Sequence, residues 1–243
     1  DSKGLVRYDG TSFSAVSAGY EYVHALATFD PDGAGPLASK LVAEKGGDLQ
    51  VWDGSALVGV TGASQFSAYG TLFSFDDGTG TALYVGHNGI ASSTQPAGAM
   101  HKWDGVSTST VAAGSEIWGA DGDAYMHHFF EYQGGMYVAG KFGGTVPAPY
   151  HNLMKWDGSD WVAPFMDNGL AKFEPQGGNL TATASSAVSF DAGFGEELFV
   201  AGDFTHAGGS PMPIRIAAWN GSSWRDPGGF TSPNEIDDAY VLG

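Results

Sequence analysis

The sequence predicts an all-β chain folded as a β-propeller, and three observations carry that prediction. First, an aromatic residue followed by Asp or Asn and then Gly recurs five times: Tyr8-Asp9-Gly10, Trp52-Asp53-Gly54, Trp103-Asp104-Gly105, Trp156-Asp157-Gly158 and Trp219-Asn220-Gly221. Asp-Gly and Asn-Gly flanked by strand-forming residues are strong hairpin signals, so each copy is expected to be a two-residue type I′ turn with positive φ at both positions. Second, the five aromatics lie 44, 51, 53 and 63 residues apart. A strand-and-turn repeat of that length is the signature of propeller blades. Third, 38 glycines and 13% aromatic residues leave few runs suited to helices.

Taken in order, each repeat divides into four strands, a to d. The third complete unit shows them best: Tyr125–Tyr132, Met136–Gly140, Asn152–Trp156 and Ser159–Ala163. Strand a recurs at Ala25–Phe29, Thr71–Phe75 and Ser185–Phe190, and strand b at Lys40–Ala43, Leu83–Gly86 and Leu198–Gly202. The blade units are approximately 24-62, 68-112, 123-165 and 181-228, within a single domain 1-243. The Gly- and Ala-rich stretch from Met166 to Ala184 is expected to be a loop, because the repeat resumes in phase after it.

The chain begins in strands c and d (Leu5–Tyr8, Ser12–Val16) and ends on Asp238-Ala239-Tyr240-Val241-Leu242, which matches the start of strand a at Asp123-Ala124-Tyr125-Met126. A fifth, closing blade from 1-19 and 235-243 would remove an exposed edge. It would lack strand b, so either this blade is incomplete or the chain is part of a longer one.

Composition narrows the chemistry. Cys is absent, which excludes disulfides, thiolate metal sites and Cys nucleophiles. The formal charge is −17, from 27 acidic and 10 basic residues. That field repels nucleic acid and anionic lipid, and favours solubility and association with cations. No apolar run reaches the length of a membrane-spanning helix. No nucleophile elbow, Walker loop or dinucleotide fingerprint occurs. The composition suits a secreted or cell-surface protein.

Leu198-Phe199-Val200-Ala201-Gly202-Asp203-Phe204-Thr205-His206-Ala207-Gly208-Gly209, leading into Arg215-Ile216-Ala217-Ala218-Trp219-Asn220-Gly221-Ser222-Ser223-Trp224, resembles the kelch-like repeats of large secreted bacterial proteins and fungal cell-surface polarity proteins. Met136-Tyr137-Val138-Ala139-Gly140-Lys141-Phe142-Gly143-Gly144 also fits, whereas Leu41-Val42-Ala43-Glu44-Lys45-Gly46 lacks the aromatic. The resemblance implies a propeller fold and a surface or secreted location. Such repeats share no catalytic residues, so it assigns no site.

The repeat aromatics Tyr8, Trp52, Trp103, Trp156 and Trp219 are expected to pack blade against blade rather than stack on sugars. Trp118 is the better candidate for an exposed ligand contact. All seven histidines map to one face, the end where strand a starts and strand b exits. His24 and His127 hold equivalent places on strand a; with His128 they are candidate ligand contacts, and His24 with His127 a candidate zinc pair. The opposite turns are acidic, and Phe29-Asp30-Pro31-Asp32-Gly33 has the flavour of a calcium loop without its full ligand set. Asp in such places is first a turn former. Asn179-Leu180-Thr181 and Asn220-Gly221-Ser222 match the glycosylation sequon.

These readings lead to an extracellular, non-enzymatic recognition or assembly module for proteins or surface glycans. No cofactor is implied beyond a divalent cation, and self-assembly is open. Two other classes compete: a structural subunit of a surface fibre or coat, and a metal-assisted hydrolase or lyase with a His-rich top face.

Overall fold

The structure is a computed structural model. It describes residues 5–16, 22–32, 35–64, 70–86, 88–90, 100–112, 123–142, 152–164, 169–173, 179–180, 182–191, 193 and 195–228. Among them every regular element is a β-strand. The repeated unit is a four-stranded antiparallel meander, the blade of a β-propeller. The chain forms two compact units, residues 1–88 with 100–111, and residues 89–99 with 112–243.

In the first unit, β1 (Val6–Tyr8) and β2 (Phe13–Ala15) form a two-stranded sheet. The first blade is β3 (Val23–Phe29), β4 (Lys40–Lys45), β5 (Asp48–Trp52) and β6 (Leu57–Ser64), in that order. The second is β7 (Thr71–Asp76) and β8 (Thr81–Gly86), then, after β9 (Asn88–Ile90), β10 (Met100–Trp103) and β11 (Thr108–Ala112). The core between these two blades joins Phe29, Val42 and Leu49 to Leu83, Val85 and Trp103.

In the second unit, β9 borders a five-stranded sheet that continues with β12 (Asp123–Tyr132), β13 (Gly135–Lys141), β14 (Leu153–Trp156) and β15 (Trp161–Val162). The segment expected to be a plain loop holds β16 (Leu170–Phe173) and β17 (Asn179–Leu180). The last blade is β18 (Thr183–Asp191) and β19 (Glu196–Asp203), then, after β20 (His206–Ala207) and β21 (Ser210–Pro211), β22 (Ile216–Trp219) and β23 (Trp224–Arg225).

The Met166–Ala184 stretch therefore corrects the expectation. Leu170 pairs with Ala207 and Ala171 with His206, so the insertion and the strand-b exit of the last blade build a small sheet of their own. Leu170, Ala207 and Met212 bury the inner side of that sheet. The buried Asn152 donates its amide to the Leu170 carbonyl at 3.3 Å, which ties the small sheet to the preceding blade. Short Gly-rich segments need such partners, because unpaired backbone groups in a covered loop are costly.

Strand b is buried along its length in β8, β13 and most of β19. Both faces are covered, which explains continuous apolar runs in place of strict alternation. Tyr84 and Tyr137 occupy matching places on it, each opposite a lysine of the third strand: Lys102 lies 5.6 Å from the Tyr84 ring centre and Lys155 5.7 Å from that of Tyr137. Both are cation–π contacts, with the alkyl stem covering apolar surface.

The recurrent Asp-Gly turns differ from the expected two-residue type. Tyr8 pairs with Phe13, Trp52 with Leu57, Trp156 with Trp161 and Trp219 with Trp224, which leaves four residues in each loop. Glycine takes the positive φ, as at Gly158 (φ 102°); the Asp before it does not. The Asp side chain closes the loop instead. The Asp157 carboxylate accepts the Ser159 and Asp160 N–H groups, both at 2.8 Å, and the Ser159 hydroxyl at 2.9 Å. Asp9, Asp53 and Asp104 repeat this pattern, and the Asn220 amide oxygen repeats it without charge. A second capped loop joins the first two strands of a blade: Asp76 accepts the Gly78 and Gly80 N–H groups, and Asp191 those of Gly193 and Gly195.

In β15 and β23 the residue after the loop is a tryptophan as well. Trp156 and Trp161 meet edge to face at 5.4 Å, and Trp219 and Trp224 are equally close. Trp103 and Trp156 are buried, Trp52 and Trp219 half-buried. Tyr8 departs from the packing expectation: it is 57% exposed, and among the described residues its ring meets that of Phe13 in its own hairpin, 4.8 Å away. The closing segment 235–243 lies outside the described residues, as does Trp118.

Two outcomes follow. Trp103→Ala, which empties a site 3% exposed against Phe29, should cost roughly 3–5 kcal/mol in chemical denaturation. The loop carboxylates of Asp53, Asp104 and Asp157 are held below the usual range by backbone N–H donors. Their stabilisation is present above the unfolded carboxylate pKa and is lost as pH falls through the lowered folded value. Replacing all three with Asn, as the fifth copy already has at Asn220, should leave the melting temperature near pH 7 unchanged and flatten its decline below about pH 4.

Candidate functional site

The first strand of three blades carries a β-bulge near its start. Register slips between Val23 and Ala25, between Met126 and His128, and between Ala184 and Ser186. The extra residues are His24, His127 and Ser185, so the two histidines are structural equivalents, each unpaired with the neighbouring strand. A bulge bends its strand and re-aims a side chain, which is why bulges recur beside binding sites. The bulge also explains glycine on the facing strand. A Cβ at Gly140 or Gly202 would run into the carbonyl oxygen of Tyr125 or Thr183. Close backbone approach, rather than a turn, selects glycine there.

Each bulge histidine lies beside a tyrosine two residues earlier. In the first unit the rings of Tyr22 and His24 stack, 6.0 Å apart and 10° from parallel, and Tyr22 is 59% exposed. In the second unit Tyr125 and His127 are 6.3 Å apart and tilted by 40°. Lys141, directly opposite Tyr125, places its ammonium 5.7 Å from the tyrosine ring centre. Burial of the ring's base and the Lys141 charge lower the pKa of His127, while its outer edge is open to solvent. His127 is therefore neutral at pH 7. A flat aromatic face, an imidazole that donates and accepts, and a nearby ammonium can together stack on a ring and bond to hydroxyls.

His128 has a different role. Its Nδ1 accepts the Ala187 N–H at 3.2 Å, bridging the inner strands of the last two blades. It is half-buried, which lowers its pKa, and the accepted bond needs an unprotonated nitrogen. Its ring packs where the two blades meet. His101 begins β10 with its Nδ1 3.2 Å from the Thr110 hydroxyl, and burial lowers its pKa. His206 packs edge to face on Phe173 at 4.7 Å in the small sheet. His87 and His151 lie outside the described residues.

His24 belongs to the first compact unit and His127 to the second. Among the described residues no group of three or more His, Asp or Glu is gathered as a metal site. In the suggested calcium loop, Asp30 accepts the Asp32 N–H and the Ser39 hydroxyl, and Asp32 accepts the Leu37 N–H. These carboxylate oxygens serve the turn.

Charged groups elsewhere are committed to structure. Burial pushes the Asp77 carboxyl up, but donors on Thr79, Tyr84 and Lys102 outweigh it and hold the group well below the usual range. Asp203 pairs with both Lys172 and Arg215 beside the small sheet. The buried Glu44 accepts the Gly47 N–H at 2.6 Å inside its hairpin. A shallow groove of about 460 Å³ in the first unit is lined by Val51, Val58, Val60, Trp103 and Val106, with Lys40 at its edge.

Sequence reasoning found His24 and His127 but missed Tyr22, Tyr125 and Lys141. The available signal was the spacing Tyr22-Val23-His24 and Tyr125-Met126-His127, which repeats at the same phase of strand a.

No protein family matches the chain, and no curated protein matches it. Among solved structures it is similar to a fungal lectin, that of Aleuria aurantia, described as a six-bladed β-propeller with a novel fucose recognition mode. The TM-score is 0.42 at 14% identity, over 93% of this chain and 69% of the lectin.

The His128 bridge makes a pH prediction. A neutral His128 favours the fold, so its contribution is complete above the unfolded value of about 6.5 and is lost as pH falls toward the lowered folded value. His128→Asn, which keeps an acceptor and carries no charge, should remove the part of the melting-temperature decline that lies between about pH 6.5 and 5.

Proposed function

We propose that this chain is a non-enzymatic, extracellular recognition module that binds surface glycans through tyrosine–histidine pairs carried on β-bulges. One observation supports this reading above the rest: the same pair, at the same bulge, is presented in both compact units. His24, Tyr125 and His127 are side chains of strands and Tyr22 directly precedes β3, so little freedom is lost when a ligand binds. Their rings combine apolar faces with polar edges, as a sugar ring requires. The tryptophans of the repeat serve the core instead, since Trp103 and Trp156 are buried and offer no face to a ligand.

Multiple weak sites on one scaffold gain strength when a ligand presents repeated epitopes. A glycan array probed with the labelled chain is the test. Binding to at least one saccharide class is expected, and Tyr22→Ala combined with Tyr125→Ala should abolish it while leaving the melting temperature within a few degrees. An array with no bound glycan, or binding that survives the double substitution, refutes the reading.

A further inference from the structure

We propose that Asn220 is a self-modification site, at which the main chain of its own loop converts the side-chain amide to a carboxylate and gives the fifth copy the aspartate that the other four carry.

The sequence sets the reactants side by side. The amide carbon of an asparagine side chain can be attacked by the main-chain nitrogen of the next residue, and a glycine there has no Cβ to block the approach. Asn220-Gly221 is one of three Asn-Gly steps in the chain. Of the others, Asn88-Gly89 lies in β9, and Asn168 lies outside the described residues. Asn220 and Gly221 are both exposed, and a Cβ built on Gly221 would meet nothing within 4 Å. Among the described residues neither the Gly221 N–H nor the Asn220 Nδ2 has a hydrogen-bond partner, so nucleophile and leaving group are both unengaged.

The loop also prepares the electrophile. Oδ1 of Asn220 accepts the Ser222 N–H at 3.0 Å, the Ser223 N–H at 2.9 Å and the Ser222 hydroxyl at 2.9 Å. Three donors on one atom identify it as the amide oxygen. They stand where charge develops: attack at Cγ pushes the carbonyl electron pair onto Oδ1, and donors already in place hold an oxyanion better than a neutral amide.

The steps balance. A solvent base takes the Gly221 amide proton, and the nitrogen bonds to Cγ. The tetrahedral centre then collapses with loss of ammonia, leaving a cyclic succinimide. Water opens the ring at Cγ to give aspartate, or at the Asn220 main-chain carbonyl to give isoaspartate, which lengthens the backbone. The pairs Ala218–Arg225 and Trp219–Trp224 fix the span of the loop and oppose the longer backbone. Aspartate fits unchanged, since Asp157 accepts the matching donors of Ser159 and Asp160.

Incubation of the folded chain at mildly alkaline pH, followed by peptide mapping with mass spectrometry, tests the proposal. Asn220 should convert, with aspartate exceeding isoaspartate; Asn220→Asp supplies the reference peptide and should keep the parent melting temperature at pH 7. Ser222→Ala removes one donor and should slow conversion about tenfold, the weight of one hydrogen bond to a charged group. In denaturant, where the loop is lost, parent and Ser222→Ala should react at the same rate. An Asn220 that stays intact in the folded chain while it converts in denaturant overturns the proposal. So does a Ser222→Ala chain of unchanged melting temperature that converts as fast as the parent, and so does isoaspartate as the main product of the folded chain.

Discussion

Burial of the second strand on both faces is the constraint on which the structure depends. Val85, Val138 and Val200 are fully covered. A single meander cannot cover both faces of its own second strand, so each blade needs another against it. The shared cores show this directly. Phe29 of one blade packs on Trp103 of the next at 5.1 Å, and in the second unit Phe130 and Tyr137 share a cluster with Ala187 and Val200. The turns are then free to be polar. Their cost is met locally by Asp and Asn side chains that satisfy the loop N–H groups.

The bulges follow from the same packing. The first strand runs against a fully buried neighbour, and one extra residue near its start bends it without opening that core. The displaced residue leaves the ladder, and in β12 it is the exposed His127. In the last blade the equivalent residue is Ser185, and the second blade pairs without a slip from Thr71 to Asp76. Among the described residues the device is present in three blades and furnished with imidazole in two. The rigid frame is repeated, and the chemistry is placed at the few positions the frame leaves unconstrained.

Charge is distributed by the same logic. The acidic residues that dominate the composition lie largely in turns, where Asp9, Asp53, Asp104 and Asp157 act as acceptors for backbone donors. Lysines and arginines are few, and most described ones have structural partners: Lys102 with Asp77, Lys172 and Arg215 with Asp203, Arg225 with Glu197. Lys141 and Lys155 lie over the rings of Tyr125 and Tyr137.

The sequence by itself determined the repeat, the four-strand order within each blade and the places of the turns, because these are local properties. An apolar run, a following Gly and an aromatic before Asp-Gly act over a few residues and recur in phase. Sequence also placed His24 and His127 as equivalents, since both sit at the same distance from the end of strand a. Tertiary structure alone decided three things. It made the Asp-Gly turns four residues long, because the pairing of Trp156 with Trp161 sets the loop length and the Asp carboxylate can cap it. It turned the Met166–Ala184 insertion into strands, because Leu170 and Ala171 find partners in Ala207 and His206, more than thirty residues away. It brought Lys141 to Tyr125 across the first two strands of their blade. Each of these depends on cross-strand register, which is fixed by packing between segments distant in sequence and leaves no mark within either segment alone.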